Sequence, residues 1–108
     1  IIVKNKQVIS FGYNGTPNGF DNCCEHDNTT KPEVLHAESN AITKVAQSTI
    51  GCNGAVIYTT TAPCFHCAKL IIQSGIKKVY YSETYRDLGG IELLNKANIN
   101  VERIIIND

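Results

Sequence analysis

The chain has 108 residues, 43% hydrophobic and 19% charged, a composition unlike that of disordered or fibrous proteins and sufficient for one domain, residues 1–108, with its own core. Ten Lys and Arg balance ten Asp and Glu, so no net positive field exists to hold a long nucleic-acid backbone. No apolar run reaches the roughly 20 residues of a membrane span, no basic leader opens the chain, and five unevenly spaced cysteines suit reduced thiols or metal ligands better than a secreted disulfide framework; a soluble cytoplasmic protein is expected, with no membrane partner.

IIVKNKQVIS places two β-rich runs around the polar turn Lys4-Asn5-Lys6, which predicts an opening hairpin. Residues 12–32 are rich in Gly, Pro, Asn and Asp without periodicity, which predicts an irregular loop, and a loop this long in so small a domain is commonly functional. In LHAESNAITKVAQS, Ala37, Ala41, Ile42 and Val45 recur at three- and four-residue intervals, which predicts a helix. AVIYTT reads as a buried strand. Pro63 then opens a helix that carries the two cysteines and AKLIIQS and stops at Gly75. IKKVYYS is a strand, LGGIELLNKAN a weaker helix and INVERIII a closing strand. A hairpin followed by three helix-strand units builds a mixed sheet, its later strands parallel, in a three-layer α/β/α sandwich. In such sheets the reactive site lies beyond the carboxyl ends of the strands, where helices begin.

Cys64 and Cys67 fall at such a helix start. Their Cys-x-x-Cys spacing suits a redox dithiol, half of a structural zinc knot, or part of a catalytic metal site. Free N–H groups and the helix dipole there favour anions, which predicts lowered thiol pKa values. His36 and Glu38 stand at the start of a different helix. A lone His before a helix is usually a cap, and a Glu in a first turn usually complements the dipole. The order His-x-Glu followed by Pro-Cys-x-x-Cys, with a helix and a strand between, matches the signature of zinc deaminases. Three ligands, His36, Cys64 and Cys67, leave a fourth zinc position for a water made acidic by the metal. Glu38 is the expected proton shuttle between that water and the departing amine.

GYNGTPNG, HAESNAI and YTTTAPCFHCAKLIIQSGIKKVYYSETY together resemble the deoxycytidylate (dCMP) deaminase family of the cytidine deaminase superfamily, bacteriophage members included, from Ile9 to Tyr85. The resemblance implies a cytidine deaminase-like fold and zinc-dependent hydrolysis of dCMP to dUMP and ammonia, which supplies dUMP for thymidylate synthesis. It further implies that Asn14 hydrogen-bonds the deoxyribose, that backbone near Ala37, Thr61 and Ala62 reads the cytosine edge, and that Tyr85 borders the pocket. Hexamers regulated by dCTP and dTTP are frequent in the family and are expected here.

Two departures stand out. Relatives begin with a helix and a fuller first strand whose basic residues help hold the phosphate, whereas this sequence opens at Ile1 within that strand; Lys31 and Arg86 remain as phosphate candidates. The loop before HAE is short, yet Cys23, Cys24 and His26 could hold a second, structural zinc; with no fourth ligand evident and adjacent cysteines more often packed or free, one zinc is expected. The alternatives are a deaminase for another base or nucleoside (cytidine, guanine, a riboflavin precursor, adenosine in tRNA), a dithiol oxidoreductase, and a zinc-stabilised binding module without catalysis.

Overall fold

A computed structural model describes residues 1–21, 23–26, 29–85 and 87–105, with backbone alone at His26. The opening hairpin pairs β1 (Ile2–Lys4) with β2 (Gln7–Ser10), Lys4 facing Gln7. Asn5 and Lys6 both take positive φ, 52° and 64°, the handedness that matches the twist of the flanking strands.

The following segment is more ordered than its composition suggests. β3 (Glu25–His26) pairs antiparallel with β4 (Thr29–Thr30), and Gly15 bridges Leu35. The Thr pair supplies β-branched residues that favour extended backbone inside an otherwise turn-rich run.

Three helix-strand units complete the chain: α1 (Ala37–Ala46) and β5 (Val56–Thr61), α2 (Phe65–Ser74) and β6 (Lys78–Glu83), α3 (Gly89–Lys96) and β7 (Asn100–Arg103). Gly75 ends α2 at φ 88°, the left-handed cap its position implied. The main sheet runs β2-β1-β5-β6-β7, with β1 antiparallel to both neighbours and β5, β6 and β7 parallel. The α/β class and the mixed sheet match expectation.

Ile2, Ile57, Val79 and Val101 lie side by side across four strands, the first three fully buried. Ala41 and Val45 of α1, Ala68 and Ile71 of α2 and Leu94 of α3 join them in one core. Each large aliphatic side chain removed from water in this way contributes roughly 1.5–3 kcal/mol. All three described helices therefore cover this one face and form one outer layer of the sandwich. The other face carries Tyr58 stacked on Tyr80 with ring centroids 4.9 Å apart, and Lys78 held 4.6 Å above the Tyr80 ring and 3.8 Å from Glu102. No helix among the described residues is long and apolar enough to cross a membrane.

Candidate active site

The amino ends of α1 and α2 meet beyond the carboxyl end of β5. His36 is the N-cap residue of α1 and Cys64 that of α2; both have extended backbone, and neither makes a side-chain cap bond, which leaves both side chains available. Cys67 sits in the first turn of α2 and is buried. Pro63, expected within the first turn, lies instead just before the cap with its ring buried, so α2 begins after Cys64.

His36 Nδ1 lies 3.5 Å from Cys64 Sγ and 3.4 Å from Cys67 Sγ, and the three ligand atoms are within 4.8 Å of one another. Zn–N and Zn–S bonds of about 2.0 and 2.3 Å at a tetrahedral angle give an N···S edge of about 3.5 Å. The donor set thus fits one zinc with one corner left over. Among the described residues this is the one cluster of metal-ligating side chains.

The Cys67 thiol departs from expectation. Burial, then the Glu38 carboxylate, then Cys64 push its pKa well above the ordinary thiol value. The helix start favours thiolate, but removal from water beside neighbouring anions outweighs a dipole worth about 0.3–1 kcal/mol. A divalent cation supplies the positive charge these groups lack.

Above the cluster opens a cavity of about 290 Å³. His36, Glu38 and Cys64 line it together with all five residues expected to touch substrate, Asn14, Ala37, Thr61, Ala62 and Tyr85. Glu38 is half-buried, and its carboxylate lies close enough to the Cys67 thiol to help raise its pKa. Thr60 also lines the cavity, a residue missed in the sequence although YTTT at a strand's carboxyl end was the available signal. A more apolar cavity of about 460 Å³ shares Ala37, Glu38 and Thr60 with it. Two backbone donors of the expected reading set are engaged: the Ala37 N–H donates to Asn14 Oδ1 at 3.0 Å, and the Ala62 N–H to the Glu83 carbonyl at 2.8 Å.

Gly90, in the first turn of α3, fixes the cysteine turn from behind. A Cβ there would overlap the Pro63 carbonyl and stand 2.8 Å from the Cys64 carbonyl carbon, backbone that cannot swing aside. Gly90→Ala is expected to cost about 1–3 kcal/mol and to weaken zinc retention as the Cys64 turn shifts. Thermal melts with and without chelator read both effects.

Other sequence candidates lie elsewhere. Lys31 Nζ stands 4.0 Å from Asp21, and Lys31 does not line the metal cavity. Arg86 and the His26 side chain lie outside the described residues. Cys23 donates to the Glu25 carbonyl at 3.1 Å, and Cys24 Sγ lies 3.8 Å from the Asn14 carbonyl.

A mixed sheet with helix mouths converging on a His-Cys-Cys metal triad, an open corner and a carboxylate beside it defines the class of mononuclear zinc hydrolase sites. Comparison with known proteins narrows the class. The sequence profile of the cytidine and deoxycytidylate deaminase zinc-binding region matches residues 1–83, and the chain belongs to that family. It is 32% identical to the deoxycytidylate deaminase of Enterobacteria phage T4, over 94% of this chain and 75% of that protein. It is 37% identical to ComE operon protein 2 of Bacillus subtilis, over 99% of this chain but 59% of that protein, so the chain spans little more than half of that relative. Its structure superposes on that of the dCMP deaminase of cyanophage S-TIM5 in complex with dCMP and dUMP with a TM-score of 0.92 and 45% identity, covering 96% of this chain and 78% of the other.

Proposed function

We propose that this chain forms a single deaminase domain that hydrolyses dCMP to dUMP and ammonia, supplying dUMP for thymidylate synthesis. One observation carries the reading: His36 and Cys64 of the metal triad, the Glu38 carboxylate and the nucleotide-facing candidates open onto one cavity, with Cys67 buried beside them. His36, Cys64 and Cys67 would hold zinc, which, when bound, acidifies a water and so supplies a nucleophile near neutral pH.

The chain's own groups do the rest. Glu38 accepts a proton from the water that adds at C4 of the cytosine and delivers it to ring N3. A second transfer through the same carboxylate protonates the exocyclic amine, which leaves as ammonia, so the protons of one water are fully accounted for. Tyr85 and Thr61 border the base, and Asn14 reaches the sugar. The similarity to dCMP deaminases supports this substrate over other bases. A homo-oligomer, hexameric, with dCTP and dTTP as effectors, working in the cytoplasm or in the host cytoplasm for a viral chain, rests on the resemblance alone.

Ammonia release by the zinc-loaded protein should be compared on dCMP, cytidine, dCTP, guanine and a riboflavin precursor. Turnover with dCMP far above the others is expected. Silence on dCMP beside activity on another base moves the assignment to that base, and silence on all of them removes it.

A further inference from the structure

We propose that Asn14 is a clamp as well as a ligand contact: its carboxamide oxygen holds the His-Ala-Glu turn in place, which leaves its amino group as the end turned to the ligand. This rests on the deaminase reading for the identity of the ligand, not for the clamp.

The turn that carries the site needs outside support. The first N–H groups of a helix have no intrahelical partner, and His36 at the N-cap makes no side-chain cap bond, its ring being turned to the sulfurs. Asn14, 23 positions earlier, fills the vacancy: its Oδ1 accepts from the Ala37 N–H at 3.0 Å. Ala37 sits between the metal ligand and the general base, so that one bond fixes the His36–Ala37 peptide, next to His36 and one residue before Glu38. An amide N–H must meet an acceptor, and that sets which end of the carboxamide faces it.

Asn14 is itself held from both sides. The Tyr13 carbonyl accepts from Asn40 Nδ2 at 2.9 Å, one turn into α1. Gly15 and Leu35 exchange N–H···O bonds of 3.1 and 2.7 Å just before His36. Upstream, Gly12 lies so close to α1 that a Cβ would stand 2.7 Å from the Ala41 nitrogen. The segment thus meets α1 at Gly12, Tyr13 and Asn14, and at Gly15 the stretch just before it. The Ala37 bond sets which end of the carboxamide faces the helix, so the amino group is the end turned from it, and in the cavity Asn14 lines it favours ligands that offer an oxygen acceptor, such as a sugar hydroxyl or ether oxygen.

Asn14→Asp and Asn14→Ala separate the two roles, because a carboxylate still accepts from the Ala37 N–H and suits a helix start, but cannot donate. In zinc-loaded protein, amide hydrogen exchange at Ala37 should stay near wild type in Asn14→Asp and accelerate by about fivefold or more in Asn14→Ala, the scale of losing one cap. For dCMP, Asn14→Asp should raise KM by about tenfold with a smaller change in kcat, whereas Asn14→Ala should raise KM and also lower kcat by about tenfold as the base and the metal ligand drift from their geometry. Unchanged Ala37 exchange in Asn14→Ala, or a loss confined to KM there, overturns the clamp. If the wild-type protein leaves dCMP untouched, the exchange comparison still decides the clamp while the substrate reading fails separately.

Discussion

Glu38→Gln should leave zinc bound and reduce dCMP turnover by about a thousandfold, within the 10²–10⁴ range of a positioned proton carrier. Gln matches Glu in size, so the packing of the first turn of α1 has little reason to change. What it loses is the capacity to accept a proton and return it, which the proposed reaction asks of Glu38 twice. Zinc retention follows from the ligand set, since the atoms poised around one point are His36 Nδ1 and the sulfurs of Cys64 and Cys67, with Glu38 outside that group. Removing the Glu38 charge takes away an upward push on the Cys67 thiol and also an anion near the cation, two opposed effects on metal binding, so retention rests on the three ligands. Metal analysis beside an ammonia assay checks both halves. A variant that loses metal along with activity makes Glu38 a ligand, and one that keeps activity within tenfold ends its role as shuttle.

The metal triad was legible because its information is local. His-x-Glu and Pro-Cys-x-x-Cys each sit at a helix start, and a parallel sheet brings successive helix starts to one edge. Less legible was everything that depends on which distant segments touch. Strand order is one case: once the sheet runs β2-β1-β5-β6-β7, every crossover steps the same way, and right-handedness then puts all three helices on one face. Periodicity marks the buried stripe of each helix but not the side of the sheet it covers. The bond from Asn14 to Ala37 is another, since nothing in GYNG alone shows that its amide will cap a helix 23 residues on. The same blindness explains the Cys67 thiol. Its helix-start position pointed to a lowered pKa, but the burial that raises it comes from residues packed around it in three dimensions. The β3–β4 ladder went unseen because two-residue strands leave too few positions for a period-two pattern to register.

Cys67→Ala is expected to abolish stoichiometric zinc binding and with it all turnover, while the metal-free fold loses only the small cost of deleting a buried thiol. The contrast arises because zinc binds the native site and not the unfolded chain, so bound metal adds to folding stability by mass action. Chelating zinc from wild type should therefore lower its melting temperature toward that of Cys67→Ala, whose own melt should ignore added zinc. The pH dependence follows from the raised thiol. In the metal-free fold Cys67 holds its proton more tightly than the unfolded chain does, so it contributes stability that is full below the ordinary thiol value of about 8.5 and drains away as pH climbs toward the folded-state value. Loaded with zinc, the sulfur has no proton to hold and that slope should vanish. In its place, zinc affinity should weaken as pH falls, because the metal must displace a proton that the buried site retains at neutral pH. Calorimetric zinc titrations at pH 7 in buffers of different ionisation enthalpy should then register release of at least one proton, the one on Cys67. Zinc uptake without proton release, or one zinc per chain retained by Cys67→Ala with turnover intact, would break the assignment of this sulfur to the metal.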